Sequence, residues 1–83
     1  MSRRDLAHVM TALADAAQAE VGVGVPVAVI DDAIGRASGD MRTPLNLRSL
    51  EADGLVRETD AGTWALTEAG LRRMREDDEL SGR

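Results

Sequence analysis

Residues 50–70 read LEADGLVRETDAGTWALTEAG, and the hydrophobic period changes within this stretch. The helical pattern that precedes it ends at Gly54, because glycine readily closes a helix in the left-handed conformation. Two segments typical of strands follow, residues 55–59 and residues 63–67, with the turn sequence Asp60-Ala61-Gly62 between them. The stretch therefore predicts the end of a helix followed by a β-hairpin.

The second strand of this hairpin carries Trp64 and Leu66, the residues that we expect to pack on the helices. They share one face because side chains alternate along a strand. A last helix begins at Thr67 or Glu68, and residues 76–83, the acidic end of the chain, are expected to fray. The hairpin is thus predicted between two helices.

Three helices are predicted ahead of the hairpin from apolar residues at helical spacing. Their ranges are residues 2–20 with Ser2 as the cap, residues 26–39 with Pro26 at the first position, and residues 42–53. The sequence Val21-Gly22-Val23-Gly24-Val25 joins the first two helices as either a loop or a short edge strand. The predicted fold class is mainly α with a small β-hairpin, in a single domain over residues 1–83.

The residue types exclude most kinds of catalytic site. The 83 residues include no cysteine and one histidine, His8, which excludes disulfides, cysteine nucleophiles and metal sites built from several histidines. Asp31 and Asp32 are adjacent on the second helix, where they point about 100° apart and are expected to be solvated rather than to form an acid–base pair. We therefore predict that the protein is not an enzyme and uses no cofactor or metal.

Hydropathy and charge bear on the location and partners of the protein. No apolar run approaches the roughly 18 residues of a membrane span and no signal peptide is present, which predicts a cytoplasmic protein with no membrane partner. The net charge of −5 argues against indiscriminate binding to nucleic acid. All ten basic residues are arginines, which fits either a GC-rich coding bias or an acidic protein from a halophilic source.

The order helix, helix, helix, hairpin, helix packs a helix-turn-helix against a small hairpin. The sequences LEADGLV at residues 50–56 and LTEAG at residues 66–70 resemble winged-helix transcriptional regulators of the multiple-antibiotic-resistance and phenolic-acid-repressor types. The similarity spans about residues 26–74. It implies a winged helix-turn-helix fold with three helices, a two-stranded wing and a C-terminal helix. It also implies a homodimer through the first and last helices.

In a helix-turn-helix, the second helix of the pair lies in the major groove of DNA. That helix is predicted over residues 42–53, and the charges between Gly35 and Leu50 are three arginines and one aspartate, a local excess of positive charge. With Leu47 and Leu50 inward, a step of about 100° per residue turns several side chains outward. They are Arg42, Leu45 and Ser49 and, more laterally, Arg48 and Asn46. The candidate DNA-binding residues are Arg36, Arg42, Thr43, Leu45, Asn46, Arg48, Ser49 and Arg57.

The leading hypothesis from the sequence is a small transcriptional regulator that binds double-stranded DNA through its third helix. The alternative is a winged-helix protein–protein interaction module, an adaptor or subunit of a larger assembly, which binds through Leu45 and the acidic wing. Arg57 in the wing is offset by Glu58 and Asp60. An isoelectric point near 4.7 is unusual for a protein whose only task is to hold DNA.

Overall fold

The computed structural model describes residues 3–37 and 39–81, with side chains as far as residue 76. Within these residues the chain forms a mixed α/β domain of four helices and one three-stranded antiparallel sheet. The elements are α1 (Arg3–Ala16), β1 (Val25–Pro26), α2 (Val27–Ala33), α3 (Arg42–Ala52), β2 (Val56–Asp60), β3 (Thr63–Leu66) and α4 (Glu68–Ser81). None of the described helices is long and apolar enough to cross a membrane.

The predicted hairpin is confirmed as β2 and β3. In the sheet order β1-β3-β2, β3 is the central strand and β2 is one edge. Val56 lies opposite Leu66, and Glu58 lies opposite Trp64. The register shifts between Glu58 and Asp60, close to the turn. Trp64 and Leu66 are both buried, as their shared face predicts.

The segment between α1 and α2 contributes a short edge strand, one of the two alternatives that the sequence allowed. Val25 and Pro26 form this strand, whereas residues 21–24 lie outside it. The prediction that Pro26 is the first helical residue is wrong, because its ψ of 146° is extended and it pairs with Thr63 of β3. Proline is tolerated here since an edge strand leaves one side of its backbone without a ladder partner.

The end of α1 was not predicted correctly. The helix ends at Ala16 rather than near Glu20. Gln18 and Ala19 follow with φ values of 56° and 59°, which are uncommon for residues other than glycine. The Ala19 amide donates to a carbonyl in the last turn of α1, the bond that closes a helix in this type of turn. Ser2, the predicted cap, lies outside the described residues.

α2 also ends early, at Ala33 rather than near Gly39. Gly35 has a φ of 78°, and the Arg36 amide donates to the Asp31 carbonyl oxygen at 2.8 Å. This pair of features is the left-handed turn that commonly ends helices. The apolar spacing that continues to residue 37 therefore belongs to the connection to α3 and not to a longer helix.

The start of α4 is held against the turn between α3 and β2. The Thr67 hydroxyl donates to the Gly54 carbonyl oxygen at 2.7 Å and accepts from the Gly70 amide at 3.0 Å. A Cβ added at Gly70 would lie 2.1 Å from the Leu55 carbonyl oxygen, so no side chain fits between these two segments. Residues 66–70 thus dock α4 onto the glycine turn of residues 50–56.

The remaining bounds of the helices are close to those predicted, with one exception. α3 begins at Arg42 and is followed by Gly54 in the left-handed conformation, with a φ of 79°. α4 continues to Ser81, beyond the end predicted near Arg75. Gly82 and Arg83 lie outside the described residues.

One hydrophobic core lies between the helices and the sheet. Trp64 is 2% exposed and is the largest side chain in it. Leu47 and Leu50 place α3 on this core, as predicted. The other fully covered apolar side chains include Val9, Leu13, Ile30, Val56 and Leu66. Because α3 packs against α1, α2 and β2, only one side of it remains accessible.

Candidate functional site

The predicted DNA-binding residues of α3 are expected on its accessible side. That side is formed by Met41, Arg42, Leu45, Arg48 and Ser49, and we call this surface the α3 face. Met41 is 71% exposed and Leu45 is 54% exposed, both unusually high for large apolar side chains in a small domain. The arginines are also mostly exposed, and Ser49 is half-buried. The expected outward orientation of Arg42, Leu45 and Arg48 is confirmed.

Asp40 fixes the first turn of α3 and the position of Arg42. Its Oδ1 accepts from the Arg42 amide at 2.9 Å and from Arg42 Nε at 3.1 Å, and its Oδ2 lies 2.7 Å from Arg42 Nη2. These hydrogen bonds from Arg42 lower the pKa of Asp40 to about 2, and the same contact raises the pKa of Arg42. The positive charge at the start of the α3 face is therefore matched by a carboxylate two residues away.

This lowered pKa predicts a pH-dependent stability difference between the wild type and Asp40→Asn. A carboxyl whose pKa falls on folding stabilises the folded state above its unfolded value of 3.8, and that contribution is lost as the pH falls toward 2. We expect Asp40→Asn to be less stable than the wild type at pH 5–7 and equal to it near pH 2. Urea denaturation across this range measures the difference.

Asp60→Asn is the matched control, since Asp60 is an exposed carboxylate in the hairpin, distant from Arg42 along the chain. A gap between the wild type and Asp40→Asn that stays constant from pH 7 to pH 2 contradicts the assigned ion pair.

Arg48 contacts three groups, one on its own helix and two on the hairpin. Its Nη1 lies 3.1 Å from Glu51 Oε1, and its Nη2 lies 3.0 Å from Glu58 Oε1. The guanidinium carbon lies 4.9 Å from the centroid of the Trp64 ring, within the range of a cation–π contact. The hydrogen bond to Glu51 and the charge of Glu58 raise the pKa of Arg48. Arg48 thus joins α3 to β2 and β3 while it remains 57% exposed.

Three of the predicted DNA-binding residues lie beneath the α3 face and not on it. The Arg36 side chain is 9% exposed, and its Nη1 donates to Thr43 Oγ1 and to Asn46 Oδ1, both at 2.9 Å. Thr43 and Asn46 are buried. The expected outward orientation of Asn46 is therefore wrong. Thr43 is equally inaccessible to a ligand on the α3 face, and the Arg36 guanidinium is already bonded to these two side chains.

The spacing along α3 explains this correction. Thr43, Asn46, Leu47 and Leu50 follow the i, i+3, i+4, i+7 pattern, which is one continuous face of a helix. The sequence interpretation placed the two leucines on the buried face and the two polar residues elsewhere. Arg36 supplies the hydrogen bonds that allow Thr43 and Asn46 to be buried.

Arg57, the predicted contact of the wing, is not brought to the α3 face. It is exposed on β2, and the alternation of side chains places it on the opposite side of the strand from Glu58, which contacts Arg48. The residue of β2 that adjoins the α3 face is thus acidic.

The acidic partners of the two arginines are site residues that the sequence interpretation missed. The i, i+3 spacing of Arg48 and Glu51 is a signal that could have identified one pair. Asp40 lies two residues before Arg42, where an aspartate often accepts from a backbone amide. Glu58 offers no such signal, because its contact with Arg48 depends on how the hairpin packs against α3.

Two surface clefts lie away from the α3 face. One, of about 360 Å³, lies between α1 and α2 and is lined by His8, Thr11 and Asp15 among others. The second, of about 390 Å³, lies beside α4 and includes Leu71 and Arg72. No group of three or more histidine or acidic side chains within the described part of the chain is placed to hold a metal ion.

Neither a protein-family model, nor a curated protein, nor a solved structure matches this chain. Conclusions about function therefore depend on the geometry of its own residues.

Proposed function

We propose that the chain is a small winged-helix transcriptional regulator that binds double-stranded DNA by placing α3 in the major groove. The observation that carries this proposal is the α3 face, which presents Arg42 and Arg48 to solvent on one side of a buried helix. The element order and the sheet order β1-β3-β2 support it, because both suit a helix-turn-helix packed against a small wing. A regulator of this kind acts in the cytoplasm.

The spacing of the two arginines suits the reading of neighbouring base pairs. Arg42 and Arg48 are separated along α3 by about 9 Å at 1.5 Å per residue. Successive bases are about 3.4 Å apart along a DNA strand, so the rise of α3 between the two arginines corresponds to two to three base steps. Each can donate two hydrogen bonds to a guanine, and Leu45 between them can contact a thymine methyl group.

The acidic partners of Arg42 and Arg48 determine what kind of binding we expect. The Arg42 guanidinium is 66% exposed, so a DNA base can approach it, and the base contacts must offset the loss of the hydrogen bonds to Asp40. Asp40, Glu51 and Glu58 also repel phosphates from the same surface. We therefore expect weak non-specific binding, a shallow dependence on salt, and specificity that comes mainly from base contacts.

Selection from a pool of random duplexes tests this function. The folded wild-type protein is incubated with the pool at several salt concentrations, and the retained duplexes are sequenced. We expect one sequence to be enriched, with guanines two to three steps apart. If no sequence is enriched at any salt concentration while circular dichroism shows a folded protein, the proposed function is wrong.

The homodimer that the resemblance implies is a further part of this proposal. Val9 and Leu13 of α1 are fully buried within one chain and so are not available to a second copy. Leu6, Leu71 and Met74 are only partly buried, and these side chains of α1 and α4 would form the contact. Analytical ultracentrifugation measures whether two chains associate.

A second candidate function is a protein-docking module, favoured by the exposure of Met41 and Leu45. These two apolar side chains are four residues apart and adjoin on the helix surface. A photo-crosslinking amino acid at position 41, in extract from the source cells, separates the two functions. If the protein binds DNA, we expect an adduct that nuclease removes. If it is a docking module, we expect a nuclease-resistant adduct of one defined mass.

A further inference from the structure

A buried polar cluster lies directly beneath the α3 face. Its members are Asp31 at the end of α2, Arg36 in the connection, and Thr43 and Asn46 of α3. Arg36 Nη2 also lies 3.7 Å from Asp5 Oδ1, so the cluster extends to α1. The guanidinium group of Arg36, which lies in the connection between α2 and α3, therefore contacts residues of both α3 and α1.

The hydrogen bonds of the cluster have a fixed direction. Arg36 can only donate, so Thr43 Oγ1 accepts its Nη1–H and uses its own hydrogen to donate to Asp31 Oδ1. The Arg36 amide donates to the Asp31 backbone carbonyl at 2.8 Å. Asp31 is 1% exposed, and its Oδ2 has no hydrogen-bond partner among the described residues. The sequence-based expectation that Asp31 is solvated is therefore wrong.

Replacing such a cluster as a whole changes net stability little in many proteins, whereas removing one member leaves the others buried without partners. Apolar residues of the same shape often replace buried charged groups without loss, because removing the charges from water costs about as much as their contacts return. What the cluster adds is a preference for one orientation of α3. Apolar contacts such as those of Leu47 are non-directional, whereas the bonds from Arg36 to Thr43 and Asn46 form at only one rotation of α3.

We propose that Arg36, through Thr43, Asn46 and Asp31, fixes the rotation of α3 about its own axis and so determines which side chains form the α3 face. These four are positioning residues and do not contact the ligand. A helix advances by about 100° per residue, so a rotation of that size would exchange Arg42 and Leu45 for a different set of exposed side chains. Arg36 has this role whether the α3 face binds DNA or a protein.

The test measures the orientation of α3 in Arg36→Met without any ligand. Residual dipolar couplings of backbone amides are recorded on the full chain, together with amide hydrogen exchange. We expect couplings in α1, β2 and β3 to fit the wild-type structure, those of α3 to deviate from it, and exchange within α3 to become at least tenfold faster. Arg73→Met is the matched control, since Arg73 is exposed on α4, and it should leave α3 unchanged.

Thr43→Val is a second variant in case Arg36→Met does not fold. It keeps the shape of the side chain and removes the hydroxyl that links Arg36 to Asp31. The proposal is overturned if α3 keeps its wild-type couplings in folded Arg36→Met or, where that variant does not fold, in Thr43→Val. It is also overturned if exchange increases equally in every element, because that result shows a general loss of stability.

The duplex selected by the wild type distinguishes this inference from the proposed function. Thr43→Val should weaken binding to that duplex although Thr43 is buried. If the selection enriches no duplex but the α3 couplings change in Arg36→Met, the positioning role stands and only the proposal that the ligand is DNA is wrong.

Discussion

If α3 reads DNA as proposed, we expect replacing Arg42 and Arg48 together by alanine to reduce affinity for the selected duplex by about two orders of magnitude or more. Each bidentate contact between an arginine and a guanine accounts for roughly tenfold to hundredfold discrimination, and the variant removes both. Because Arg48 also lies over Trp64 and pairs with Glu58, circular dichroism first establishes that the double variant is folded. Titration of a fluorescent duplex at fixed salt measures the change.

Arg72→Ala/Arg73→Ala is the matched control for this prediction. It removes the same number of positive charges from α4, where both arginines are exposed. We expect only a small loss of affinity, since these residues are not on the α3 face. Equal losses in the two double variants contradict a specific role for α3 and indicate that net charge alone determines binding.

Trp64→Ala is expected to lower the free energy of unfolding by about 3–5 kcal/mol. Trp64 is the largest fully buried side chain, and its removal leaves a cavity between the sheet and the helices. Since small domains have only about 5–15 kcal/mol of stability in total, much of the variant is unfolded at elevated temperature. The measurement is urea denaturation followed by circular dichroism, because the variant has no tryptophan fluorescence.

Trp64→Phe separates the loss of volume from the loss of an aromatic ring at this position. It keeps a ring beneath Arg48, and we expect less than half of the destabilisation. A loss below about 1 kcal/mol in Trp64→Ala would show that the core can collapse around the missing ring.

The sequence predicted those parts of the fold that local signals determine. Gly54 marks the end of α3 because its position requires a positive φ, and the hairpin follows from a turn between two short strands. The exposure of Arg42 and Leu45 follows from the helical period once Leu47 and Leu50 are inward. Each of these predictions depends on residues close together in the chain.

The predictions of side-chain exposure that failed depend on contacts between elements, whereas those of helix ends depend on local backbone conformation. Thr43 and Asn46 are polar, and their burial is possible only because Arg36 is bonded to them from outside α3. Asp31 is buried for the same reason, since it accepts from Thr43. The early end of α1 depends on Gln18 and Ala19, residue types that do not mark a positive φ in a sequence.

Titration of the ¹⁵N-labelled protein with the selected duplex tests most directly whether α3 is the binding element. We predict the largest changes in backbone amide shift at residues 41–49. We also predict a shift of the Trp64 indole N–H signal, because Arg48 must move away from the Trp64 ring to contact a base. Changes centred on α4 or on the cleft between α1 and α2, with the amides of α3 unmoved, would contradict this assignment.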